Sequence, residues 1–270
     1  MDAALPYAKK SAVTDATATP PDRALLSRMD LPPMEPLVGG KTQTSAPAAA
    51  PLPTIEELLK MHPADAQSPA CLYYAVDIEG TGPSKATNYM IQLGAVAFVI
   101  RDGTLVPVGA FSVALMPPSA VHCFDPKCMA EFWQTRLAHL DKLKGAAFPP
   151  AAAMDLFLHW LDGFKAARMV QLTDFTQYDS SWIDHYATFH SEIKGPLYLW
   201  RGRLEPAVCT DDAYRALLKD FASPWVSTSA ACKAAGVEFF DPGNAHDAVY
   251  DAYGIGVNFL RVALALGWKL

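Results

Sequence analysis

Cysteine is scarce and unpaired. Cys71, Cys123, Cys128, Cys209 and Cys232 are scattered over 270 residues without a single CxxC spacing. Such a set argues against a zinc site and for free thiols in a reducing compartment, so an intracellular, non-secreted protein is expected. Apolar runs long enough to span a membrane are lacking, and no membrane partner is expected. The N-terminus, MDAALPYAKKSAVTDATATPPD, has no charged-then-apolar leader pattern. Basic charge is not in excess either. The net charge is −6, which argues against a protein that tracks long duplexes. The stretch GTGPSK lacks the Gly-Lys-Ser/Thr ending of a Walker phosphate loop.

Aromatic residues are nearly missing from the first seventy positions. Tyr7 is the one example there, alongside 11 of the 22 prolines. That composition cannot bury enough apolar surface to offset the entropy of ordering. Residues 1–70 therefore read as a Pro/Ala-rich tail, disordered over about residues 1–52. Within it, PTIEELLKMH predicts a short helix over 54–62, with Thr54 and Glu57 spaced as a capping box. That segment reads either as a docking peptide for a protein partner or as a linker.

What is present begins at Cys71. CLYYAVDI reads as a buried strand. The next two strands meet at Arg101-Asp102-Gly103-Thr104, where Asp-Gly signals a hairpin. Helical stretches follow over about Pro126–Leu143 and Pro150–Ala167. RMVQLTD is a fourth strand, a helix covers YDSSWIDHYATFHSE, and GPLYLW is a short fifth strand. Helices near Asp211–Phe221 and Thr228–Ala235 precede a long one over about Ala245–Leu266. Three leading strands and then alternating helices and strands predict an α/β domain with a mixed sheet.

The first strand ends in two acids, Asp77 and Glu79. Residues two apart on a strand share a face, so both carboxylates converge on one point. Like charges that close oppose each other's ionisation, and a divalent cation with oxygen preference removes that cost. Asp174 and Asp179 follow the fourth strand. His246, Asp247 and Asp251 lie on the predicted last helix, where the five-residue separation of His246 and Asp251 sets them on neighbouring faces. Each element alone also fits a plainer role: a solvated turn, a helix cap, a surface histidine. Phe132 and Trp133, in FDPKCMAEFWQ, are either base-stacking rings or helix core. Arg201 and Arg203, in YLWRGRLE, are phosphate contacts or a solvated loop.

Taken in order, DIEGTGP, TQYDSSWID and AHDAVYDA resemble the three motifs of the DEDDh 3′→5′ exonucleases, over about Tyr73–Phe259. The resemblance implies an RNase H-like mixed five-stranded sheet flanked by helices, spanning 71–270. It implies that Asp77, Glu79, Asp179 and Asp251 hold two Mg²⁺ or Mn²⁺ ions, with His246 as general base. Gly80, Thr81 and Gly82 would approach the 3′-terminal nucleotide of single-stranded RNA or DNA, with the Thr81 hydroxyl near its sugar. Trp133 would bind a base, and the product would be a nucleoside 5′-monophosphate. The sequence departs from the family in reading Asp174-Phe175 where relatives carry Asn or His, and Pro83 where many carry an apolar wedge. From residue 71 onward 16 Lys and Arg face 20 Asp and Glu, a net −4 that two divalent ions would neutralise. An inactive RNase H-like binding module and an all-helical phosphohydrolase built on His246-Asp247 are the competing readings. The second leaves the strands unexplained.

Overall fold

The structure, a computed structural model, describes residues 52–66, 68–117, 124–192, 203–221, 226–243 and 246–268. The predicted tail over 1–51, Cys123, Arg201 and the predicted GPLYLW strand lie outside them.

Five strands form one mixed sheet in the order β3-β2-β1-β4-β5. β1 (Cys71–Gly80), β2 (Met90–Arg101) and β3 (Thr104–Ala114) are successive antiparallel neighbours. β4 (Arg168–Thr173) lies parallel to β1, and β5 (Val208–Cys209) parallel to β4. The described fifth strand is therefore a two-residue edge, absent from the sequence-based expectation. The Asp-Gly turn forms as predicted: Asp102 has φ 52° and Gly103 φ 73°, the left-handed pair that matches hairpin twist.

Strand alternation sorts β1 onto two cores. Leu72, Tyr74, Val76 and Ile78 face α4 (Pro150–Gly163) and α5 (Ser181–Phe189). Tyr73 and Ala75 face α6 (Thr210–Leu218), α7 (Thr228–Ala234) and α8 (Ala248–Leu266). By the same alternation Asp77 and Glu79 project toward the α8 side, on which Asp251 stands. α8 is long and apolar enough to cross a membrane by length and composition. Here that apolarity is spent on packing: Ala252, Val257, Leu260 and Ala263 are completely buried in the domain.

Gly94 lets α8 come close. It pairs with Asp77 across β1 and β2. A Cβ at Gly94 would stand 2.2 Å from the Ala248 carbonyl carbon and the Val249 nitrogen, backbone atoms that cannot step aside. Gly94→Ala should consequently push the first turn of α8, with Asp251, off the sheet. The expected outcome is a loss of about 3 kcal/mol in denaturant titrations, with activity falling further than stability explains. An unchanged midpoint would show that the contact is slack.

The packing reaches further toward the N-terminus than the composition break at Cys71. α1 (Ile55–Leu58) is a single turn with the predicted capping box, Thr54 to Glu57. Ile55 and Leu58 are buried in the α8-side core. The Tyr250 hydroxyl donates to Glu56 at 2.8 Å, and the Tyr253 hydroxyl to the Pro53 carbonyl at 2.9 Å. So this segment docks on its own domain.

The helix expected over Pro126–Leu143 is broken. α2 (Pro126–Glu131), capped by Asp125, gives way to a 3₁₀ turn over Trp133–Thr135 before α3 (Leu137–Ala146). Trp133 supplies the cause. It is completely buried, and its Nε1–H donates to the Gly80 carbonyl at 3.0 Å, a bond that a continuous helix would not reach.

Candidate active site

β1 carries the first acids to the edge of the core. Glu79 is only 7% exposed, so its carboxylate is largely removed from water. Burying an ionised carboxylate among other acids is costly. Its carboxylate lies with those of a His246 ring nitrogen and Asp251 in one cluster, the three ligand atoms within 4.8 Å of one another. Asp77, Asp174 and Asp179 line an adjoining cavity of about 540 Å³ together with Ile78, Gly82, Pro83, Cys128, Phe175 and Tyr178.

Asp179 does not cap a helix. It sits in a one-turn π-helix, Thr176–Ser180, whose wide turn delivers its side chain back toward the strand ends. There the Thr173 hydroxyl donates to Asp179 Oδ2 at 2.6 Å. Asp174 joins the same side of the site, fixed by the Thr210 hydroxyl, which donates to its Oδ1 at 2.6 Å.

His246 differs from expectation. It precedes α8 rather than lying on it, in the left-handed region at φ 67°. The strained backbone has a visible support: the His246 N–H donates to Asp251 Oδ2 at 2.8 Å. A buried relay holds the preceding turn. Gln92 Nε2 donates to Asp247 Oδ1 at 2.8 Å, while Gln92 Oε1 is 3.2 Å from His139 Nε2 and accepts from the Ala248 N–H at 3.4 Å.

Electrostatics follow from this crowding. Burial first, then Asp179, Glu79 and Asp251, push Asp77 well above the usual carboxylate range. Burial and Asp251 raise Glu79 to about 9. Burial raises Asp179 to about 7, against the pull of the Thr173 hydrogen bond, and Asp251 to about 6. Burial and the Arg136 charge lower His246, which favours a neutral imidazole. A divalent cation fits this donor set: hard carboxylate oxygens, several of them buried and held in mutual repulsion.

Other expected contacts fall elsewhere. Thr81 is completely buried and its Oγ1 accepts from the Tyr89 N–H at 2.8 Å. Its hydroxyl braces the turn instead of facing a sugar. The turn's carbonyls are likewise engaged: Gly80 by Trp133, and Gly82 by the Tyr178 hydroxyl at 3.3 Å. Trp133 has no face to offer a base, so the core alternative holds for it. Phe132 does reach the site, its ring 5.0 Å from that of His246 in an edge-on arrangement. Arg203 is bound to the Asp162 carboxylate and the Ala166 carbonyl, which ties it into a side of the domain away from the acids.

Gln92, Thr173, Thr210 and Arg136 were missed by sequence reasoning. Gln92 had a signal, a lone amide inside the apolar run MIQLGAVAFVI. The threonines and Arg136 had none, because their roles arise only from the crossing of distant segments.

No protein-family model matches the sequence, and no curated protein matches it by sequence. Solved structures do. The nuclease domain of 3′hExo, a DEDDh family member bound to rAMP, aligns at 15% identity and TM-score 0.53, covering 74% of this chain and 94% of that one. The fold is that of the DEDDh exonucleases. A product-bound exonuclease I aligns at 13% identity and TM-score 0.51, covering 74% of this chain and 44% of that one. Cell-death related nuclease 4 aligns at 16% identity and TM-score 0.50, covering 74% and 66%. This chain thus spans less than half the length of exonuclease I and about two thirds of that nuclease. At such identities the DEDDh likeness speaks for architecture, and the chemistry must come from the residues.

Proposed function

We propose that this protein is a metal-dependent 3′→5′ exonuclease that acts on single-stranded RNA or DNA and releases nucleoside 5′-monophosphates in a reducing, intracellular compartment. The observation that carries the reading is the meeting of the three motifs: Glu79, His246 and Asp251 within 4.8 Å, next to the cavity lined by Asp77 and Asp179. The shared fold with E. coli exonuclease I, which has been solved with single-stranded DNA, supports it.

Asp77, Glu79, Asp179 and Asp251 would hold Mg²⁺ or Mn²⁺, two ions by resemblance. Bound there, the metal would supply Lewis acidity toward a phosphate oxygen and toward water. The chain's own part is positioning and proton transfer. A neutral ring nitrogen of His246 takes the proton of the attacking water as its oxygen bonds to phosphorus. The phosphorus–O3′ bond breaks, leaving a strand shorter by one nucleotide. The Asp251 carboxylate accepts the backbone N–H of His246 and so holds the turn that carries the imidazole. The 540 Å³ cavity is of a size for one nucleotide, and the partly exposed Phe175 on its wall offers a ring to a base.

The test is a time course on 5′-labelled single-stranded RNA and DNA of equal sequence, with Mg²⁺, Mn²⁺ or EDTA. A ladder that shortens from the 3′ end with metal, and stays intact with EDTA, is expected. Tight binding without cleavage of either strand would favour the inactive binding module.

A further inference from the structure

Arg136 is a cation that the motif comparison leaves without a task. It stands where the 3₁₀ turn meets α3, with φ −129° and ψ 29°. One nitrogen, Nη1, makes both of its hydrogen bonds, to the Phe132 carbonyl at 2.9 Å and to Thr135 Oγ1 at 3.0 Å. Those bonds anchor the guanidinium, and among the described residues Nη2 and Nε have no hydrogen-bond acceptor. The plane lies 4.3 Å above the Phe132 ring centroid, and that ring in turn abuts His246. Arg136, over the face of Phe132, and His246, edge-on to the same ring, thus form one row of contacts along the edge of the acidic cluster.

The placement is unusual for a counter-ion. The positive charge is felt by Glu79 and Asp251, lowering both, and by His246. Yet no carboxylate approaches Arg136 closely enough to count among the described ion pairs. A guanidinium built only to neutralise these acids would pair with one. Instead it is anchored by backbone and ring, and the residue as a whole is half-buried. An anion between it and a divalent cation held by the carboxylates would be met by positive charge on both sides. Planar guanidinium donors match the oxygens of a phosphate.

We propose that Arg136 is a phosphate-binding residue of this site, donating from Nη2 or Nε to a non-bridging oxygen of the 3′-terminal phosphodiester and, after cleavage, to the phosphate of the released nucleoside 5′-monophosphate. This rests on the exonuclease reading above.

The experiment compares AMP with adenosine by calorimetric titration, with Mn²⁺ present, in wild type, Arg136→Gln and Arg136→Lys. Glutamine retains a donor for the Phe132 carbonyl, and melting curves check that each variant is folded. Wild type should favour AMP, and Arg136→Gln should lose about 10-fold of that preference while binding adenosine as before. Arg136→Lys should recover part of it. Mn²⁺ affinity without nucleotide should stay level or tighten, because a neighbouring cation has gone. An AMP-to-adenosine ratio equal in all three proteins would overturn the proposal, as would a wild type indifferent to the phosphate. Parallel loss of AMP and adenosine would overturn it too, by assigning Arg136 to packing. The exonuclease reading stands or falls separately, on whether wild type produces the 3′ ladder.

Discussion

Asp77→Asn should abolish strand shortening, by at least about 10³-fold, while leaving a protein that melts higher in EDTA than wild type. The two effects have one origin. Asp77 sits among Asp179, Glu79 and Asp251, and burial adds to their repulsion. An amide of the same shape keeps the packing of β1 and removes a charge that the metal-free fold tolerates poorly. It also removes an oxygen ligand whose anionic character a divalent ion needs. A structural acid behaves the opposite way, since its loss lowers the melting temperature. Single-turnover assays with Mg²⁺ and Mn²⁺, read beside melting curves in EDTA, measure both quantities. Near-wild-type cleavage by Asp77→Asn would remove the centre of the proposed site. Lost activity with a lowered melting point would make Asp77 a packing residue.

Much of this arrangement was legible in the chain, and the reasons differ by residue. Alternation along CLYYAVDIEG sends Asp77 and Glu79 to one face, and the structure places both on the side of α8. The Asp-Gly turn and the Thr54–Glu57 cap are local chemistry, decided within four residues, and both form. What local patterns could not supply was anything decided by a long-range contact. Helical periodicity continues through Phe132 and Trp133, but the Gly80 carbonyl, 53 residues away, takes the indole N–H and the helix breaks. That break exposes Phe132 and Arg136 to the acids. His246 reads as the first turn of a helix until Asp251 takes its backbone N–H in a left-handed conformation, with Gln92 holding the next two residues. Thr81 shows the same limit in reverse. Its hydroxyl looks available in GTG, and the Tyr89 amide claims it.

The metal-free protein should lose stability as pH rises from about 6.5 to about 8.5, and divalent ions should flatten that slope. Carboxyls raised in the fold hold protons that the unfolded chain has already released. Their contribution is complete below the unfolded values near 4 and disappears as pH passes the folded ones. Those folded values are about 6 for Asp251, about 7 for Asp179 and about 9 for Glu79, with Asp77 also well raised. The histidines act with the opposite sign. Burial lowers His139, His185, His190 and His246, so each adds stability as pH climbs toward 6.5 and nothing beyond it. Below 6.5 the two sets oppose each other. Above it the raised carboxyls carry the slope. Melting temperatures in EDTA should therefore fall by on the order of 5 °C across the window. With Mg²⁺ or Mn²⁺ the curve should lie higher and nearly level, because the ion takes the place of the protons. Glu79→Gln tests the cause: it should make the EDTA curve shallower, most of all at the upper end of the window, since the most strongly raised of the quantified groups no longer ionises while Asp77 and Asp179 still do. A Glu79→Gln slope equal to that of wild type would remove Glu79 from the strained set, and a Glu79→Gln, Asp77→Asn double variant with the wild-type slope would place the pH dependence outside the acidic cluster, and with it the strain that a metal is meant to relieve.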